Sequence, residues 1–269
     1  MNAARLPRGI SLPVPWWQLL LAVLLGIVIV VMAAPPAGWA DLAVSRATGG
    51  RLRLAQAEGT LWNGRGRVVL ADPSAAAEGP TALDGVAIPG TLQWKLSALP
   101  LLVGMLDAVV TIDGMREPLK LSGSLGEVRG SAGALALPAV RLDRMGSPWN
   151  TVQPTGALTL AWEPFTVRRT GFEGRATIEL RDVASALSPV KPLGAYRVQV
   201  DGTAGRATVV MSTLVGPLQL DGNGTWTPAQ GLRFTGSAIA DPPQRPQLAP
   251  LLGLVGRRDG ERTIIRIGA

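Results

Sequence analysis

The order of apolar and polar positions divides this chain into two unlike parts. Residues 19–34, LLLAVLLGIVIVVMAA, carry no charged or strongly polar side chain. As a helix this run is about 24 Å long. Adding Trp16, Trp17 and Gln18 brings it to about 28 Å, enough to span a bilayer with little tilt. Leu19, Leu25, Ile29 and Val31 are then lipid-facing residues of an anchor. Trp16 and Trp17 on one side and Trp39 on the other are placed like an interfacial aromatic belt. A short buried helix is expected within 96–110, where Pro100 and Asp107 interrupt the nearest rival apolar run.

Beyond residue 50 the period changes to two. In GRATIELRD, Ala176, Ile178 and Leu180 alternate with Thr177, Glu179 and Arg181. AYRVQVDG sets Tyr196, Val198 and Val200 against Arg197, Gln199 and Asp201, and GRATVVMST repeats the pattern with Ala207, Val209 and Met211. Leu218 with Leu220 and Leu232 with Phe234 continue it. Such alternation predicts half-buried strands, and the Gly, Asp and Pro residues between them suit antiparallel hairpins, most clearly at 201–205. Further strands are expected at 51–57, 64–71, 91–96, 108–113, 119–123, 133–137 and 156–162. Residues 71–85 read as a long loop, and short helices are expected at 182–187 and 247–255.

The fold expected is therefore mainly β: one N-terminal transmembrane helix, then a curved, largely antiparallel sheet with a few short helices. The chain divides into a cytoplasmic N-terminus (1–15), an anchor (16–34), a linker (35–50) and a β-rich domain (51–269). The most natural break between two similar halves lies at 144–156.

Tryptophan recurs among turn formers in EGTLWNG and GNGTWTP. Gly59, Thr60, Asn63 and Gly64 suit a tight turn beneath Trp62, and Gly222 and Gly224 precede Trp226. Both indoles are expected to cap an open end of the sheet; partner or lipid contact is the alternative.

Composition removes much chemistry. The chain has no Cys and no His, hence no thiolate site and no imidazole base. Its net charge of +7 is carried almost entirely by arginines spread along the strands, without the aromatic-studded basic patch of a nucleic-acid binder. Glu58, Glu163, Glu173 and Glu179 stand singly, and DGNG at 221–224 reads as a turn without the further oxygens of a calcium loop. Neither a catalytic, a cofactor-binding nor a metal-binding residue is assigned, and an enzyme is not expected. Arg5 and Arg8 precede the apolar run and Asp41 is the first charge after it, which puts the N-terminus in the cytoplasm and the rest across the membrane. A cleaved signal peptide, cut after AGWA, is the competing reading.

An anchor followed by EGTLWNGRGRVVL, GTLQWKL and PTGALTLAW, and then by PLGAYRVQVDGTAGRATVVMSTLVGPLQLDGNGTWT and LAPLLGLVGRRDG, resembles protein N of the bacterial type II secretion system. The resemblance implies a single-pass inner-membrane protein with a periplasmic β domain and no assigned catalytic residues. It further implies an accessory role in export of folded proteins across the outer membrane, through contacts with inner-membrane platform proteins and the secretin. The alternative left by the residues themselves is a lipid or hydrophobe carrier using the apolar face of the sheet.

Overall fold

In the computed structural model, residues 16–71, 85–124, 126–141, 153–203, 205–227 and 229–268 are described. The expected cytoplasmic segment, the core of the 71–85 loop and most of the 144–156 break lie outside them.

Among the described residues seventeen strands form one open antiparallel sheet. It is a meander in which nearly every strand lies beside its successor: β1 (Leu52–Gly59), β2 (Asn63–Ala71), β4 (Leu92–Leu96), β5 (Met105–Ile112) and β6 (Leu119–Ser124) come first, with β3 (Gly85–Ala87) flanking β2. Next, β7 (Glu127–Gly130) runs into β8 (Gly133–Arg141), and β9 (Pro154–Trp162) into β10 (Phe165–Arg168). Gly130 opposes Phe165 and Gly133 opposes Trp162, so the register passes unbroken from one piece to the next. The halves expected on either side of 144–156 are thus stitched into a single sheet.

The long β11 (Gly171–Ser185) carries the ladder to β12 (Gly194–Thr203), β13 (Arg206–Val215), β14 (Leu218–Thr227) and β15 (Gly231–Ala240). Last come β16 (Arg257–Asp259) and β17 (Arg262–Ile267), with β17 paired to β15.

Period-two alternation becomes two chemically distinct faces. Leu135, Leu160, Ile178, Val198, Met211, Gly222, Gly236 and Ile265 stand opposite one another in one row across eight strands. The neighbouring row runs Thr159, Glu179, Arg197, Ser212. Sheets with one dry and one wet face behave this way.

Helices roof the dry face only in places. α2 (Gly38–Ala47) packs Ala37, Ala40 and Val44 against Leu54 and Trp94. At the other end α4 (Arg245–Val255) drives Leu248, which has no exposed surface, with Leu251 against Leu193, Leu218, Ala238 and Ala240. Tyr196 is buried beside this cluster and its hydroxyl reaches the carbonyls of Leu218 (2.9 Å) and Leu193 (3.2 Å). Burial pushes its phenol well above the ordinary tyrosine range.

Several expectations are corrected. The linker at 35–50 holds α2, which is part of the β domain's core. The short helix within 96–110 is confined to α3 (Ala98–Leu102) and is exposed, because Met105 onward is held as β5 by pairing with β4 and β6. Residues 182–185 are strand rather than helix, since Ala184 and Ser185 pair with Thr155 and Pro154 beyond a bulge at Asp182 (φ 51°). Residues 221–224 form the middle of β14, not a turn. β7 and β10 had no expected counterpart; each is only four residues long.

α1 (Trp16–Ala33) occupies the expected anchor position. Its eighteen residues make a rod of about 27 Å, just under a hydrocarbon core of about 30 Å. Among the described residues no helix is long and apolar enough to cross a membrane.

Candidate interaction surface

Trp62 is half-buried in the β1–β2 connection, where its carbonyl accepts the amide of Leu96 (2.7 Å). Gly59, at φ 90°, and Thr60 close that connection, with the amide of Asn63 donating to Thr60 Oγ1 (3.1 Å). Asn63 and Gly64 open β2. Gly64 has no room for a Cβ because the Trp94 indole lies over it, and Trp94 Nε1 donates to the Leu61 carbonyl (3.1 Å). Trp162 repeats this device over Gly133, with Nε1 donating to the Ser131 carbonyl (2.9 Å).

Gly222 and Gly224 lie within β14 where the Phe234 ring and its backbone approach, and Trp226, half-buried, ends the same strand opposite Leu232. Among the described residues the indoles that cover glycines are thus Trp94 and Trp162. Their signal was present in the sequence as a Trp in alternating register with a Gly on the strand to be paired. Of the anchor residues, Trp16, Trp17, Leu19 and Leu25 are exposed along α1; the side chains of Ile29 and Val31 lie outside the described set.

The carboxylates weighed as acids are each tied to arginine: Glu58 to Arg65, Glu163 to Arg175, Glu173 to Arg168, and Glu179 to both Arg181 and Arg197. Hydrogen bonds from Arg181 and Arg197 hold the Glu179 carboxyl below the usual range despite some desolvation. Two shallow hollows of about 160 and 190 Å³ are lined by Glu58, Arg65 and Thr91, and by Thr155, Ser185 and Lys191. Neither gathers converging acids. Among the described residues no three metal-ligating side chains cluster.

Besides the outer side of β8, which among the described residues pairs only with β9 apart from a bridge between Met115 and Leu135, the two ends of the sheet, at β1 and at β16–β17, differ sharply. Along β1 two amides and one carbonyl on the outer side are occupied: Asp41 Oδ1 accepts from Leu54 N (2.7 Å), Thr48 Oγ1 from Leu52 N (3.1 Å), and the Gly59 carbonyl takes Ala37 N (3.3 Å). Arg53 clamps Asp41 in place at 2.9 Å. Burial would raise the Asp41 carboxyl, but the Arg53 guanidinium and the Leu54 amide outweigh it and hold its pKa below the ordinary range.

The far edge is left open. β16 covers only Arg262 to Ile264 of β17, so residues 265–267 outrun their neighbour. Arg257, Arg258, Arg262 and Arg266 are all exposed there, and among the described residues none forms an ion pair.

Residues 50–265 match the family described as type II secretion system (T2SS), protein N. The chain belongs to that family. No curated protein and no solved structure matches it. The match begins beside α2 and takes in the sheet from β1 to Ile265, within β17. As a protein N family member the chain takes part in type II secretion, associates with the cell envelope and interacts with other components of that machine. The family is one of secretion components rather than of enzymes.

Proposed function

We propose that this protein N family member is an accessory inner-membrane component, anchored by α1 and working through protein contacts of a periplasmic β domain. The anchor reading is supported by the exposure of every described side chain from Trp16 to Gly26, as expected of a helix apolar all round. Cleavage ahead of Asp41 would cut α2 and remove the buried Ala37 and Ala40 from the domain, which favours a retained helix.

The contact role rests chiefly on the contrast between the edges. Two outer amides of β1 are stoppered by Asp41 and Thr48, whereas the β16–β17 edge is partly open and cationic. Positive charge there repels a second copy of the same edge and favours an acidic strand, so β-addition becomes selective. The test is capture of platform and secretin periplasmic domains by the full chain in detergent, over a salt series. Retention at low salt, weakened by salt and by Arg257→Glu, Arg262→Glu and Arg266→Glu together, is expected. No enrichment at low salt removes the reading.

A second reading has its own observation. The row through Ile178, Val198 and Met211 is only half-buried, since α2 and α4 roof other parts of the sheet. An acyl chain laid along it would complete its burial. Native mass spectrometry of the gently extracted protein distinguishes the two: phospholipid adducts support a carrier, and a bare mass supports an assembly component alone.

A further inference from the structure

We propose that the β4–β5 connection is a second membrane contact, a knob that dips into the bilayer beside the anchor. The motivating feature is a concentration of exposed apolar surface. Leu99, Leu102 and Val103 are 78, 82 and 75% exposed, and Met105 is 53% exposed. Exposed leucines elsewhere on a sheet are ordinary; several large ones within seven residues are not. From Leu96 to Leu106 the sequence LSALPLLVGML contains no charge, and Lys95 and Asp107 bracket it. α3 carries these side chains outward, on a stem closed by Ser97 N to the Asp107 carbonyl (2.9 Å) and Ser97 Oγ to Asp107 Oδ2 (3.1 Å). The knob is therefore a built projection, not a frayed end.

Its position says what covers it. The chain leaving α1 is tied to the β1–β2 connection: Leu61 N donates to the Pro35 carbonyl (2.9 Å), and Pro36 bridges Thr60. The same connection holds the start of the knob through Leu96 N to the Trp62 carbonyl (2.7 Å). Leu99 is three residues further on, a reach of at most about 11 Å. Leu99 thus lies within roughly 30 Å of the point where α1 ends, about the thickness of a hydrocarbon core. Trp39 and Leu42 of α2, 50 and 47% exposed, lie in the segment that follows directly. A tethered domain with apolar residues this close to its tether meets the headgroup–acyl boundary repeatedly. Leucine and valine enter that boundary to a depth of about 5–10 Å when their segment is uncharged. Two contacts, a rod and a knob, would fix the tilt of the sheet over the membrane where a rod alone would let it swing.

The inference rests on α1 being the anchor, and the experiment separates the two. The natural sequence has no cysteine, so single cysteines can be placed and labelled with an environment-sensitive nitrobenzoxadiazole dye. Full-length Leu102→Cys, Leu24→Cys and Val210→Cys are reconstituted in nanodiscs of phosphatidylcholine and phosphatidylglycerol, with doxyl groups either near the headgroup or deep in the acyl chain. Leu102 is highly exposed, so its substitution leaves the fold intact.

The expected result is blue-shifted emission at 102, quenched about two-fold and more by the shallow label than the deep one. Position 24 should be quenched by the deep label, and position 210 should stay water-exposed. Quenching at 24 with a water-like, unquenched signal at 102 overturns the knob and leaves the anchor standing. A blue shift at 102 without lipid quenching means contact between copies and also overturns it. Quenching at 102 without quenching at 24 removes the anchor and, with it, a knob that acts as a second contact beside it; quenching at neither removes both.

Discussion

Trp94 shows how one side chain organises a stretch of backbone. Its indole covers Gly64 on the neighbouring strand, and its N–H is satisfied by the Leu61 carbonyl, so apolar area is buried without an orphaned donor. Replacing Trp94 by Ala should destabilise the protein by about 3–5 kcal/mol, measured by urea unfolding. Trp62, half-buried, should cost about half as much or less when truncated; equal losses at both positions would show that the ring over Gly64 has no special weight. Gly64→Ala should also destabilise, because its Cβ would stand 2.7 Å from the Glu58 carbonyl oxygen. Asp41 supplies a pH dependence. Its carboxyl titrates below its unfolded value near 4, so its contribution is full above about pH 4 and is lost as pH falls through the lower folded value. Asp41→Asn should flatten that acid limb, read as fluorescence of Trp39 on the helix that Asp41 docks.

At the scale of elements, the clearest dependence is of the last strands on α4. Leu248 has no exposed surface and Leu251 only 3%, both against Leu218, Ala238 and Ala240. Leu248→Ala should cost about 2–5 kcal/mol and should raise amide exchange in β14, β15 and β17 before it does so in β1 and β2. Uniform exchange over the whole sheet would show instead that the meander opens as one unit. β-strands were legible because alternation at Ala176–Leu180 or Tyr196–Val200 is a local signal. The short β7 and β10 were not, because four residues such as FTVR carry too few periods to register. α2 escaped notice for a different reason. The face of GWADLAVSRA that packs on the domain is small, Ala40 and Val44, and the segment is fixed there by Asp41 reaching the β1 backbone.

For the whole molecule, a sheet of seventeen described strands has end edges, at β1 and at β16–β17, that must be managed. Asp41 and Thr48 stopper one of them. The other carries Arg257, Arg258, Arg262 and Arg266, and its chemistry predicts the salt and charge-reversal responses stated above. Reversing the same number of arginines on the wet face, at Arg175, Arg181 and Arg197, should leave partner capture unchanged, because those side chains are engaged with Glu163, Asp201 and Glu179. Equal loss from both sets would mean that overall charge, not the edge, directs binding. The basic composition alone suggested acidic partners, but it could not say which of the arginines are free to meet them.

What the sequence determined by itself was the apolar N-terminal run, the alternating strands, the order of hairpins and the family, because each is written in neighbouring residues. Tertiary structure decided which tryptophans lie over glycines, that the two halves share one register through β7–β8 and β9–β10, and that one edge is stoppered while the other is open. These depend on residues brought together from 13 positions apart, as with Asp41 and Leu54, to 41 apart, as with Glu127 and Arg168. Alternation within one strand does not name its partner; such pairings appear only when segments distant in the chain are packed together.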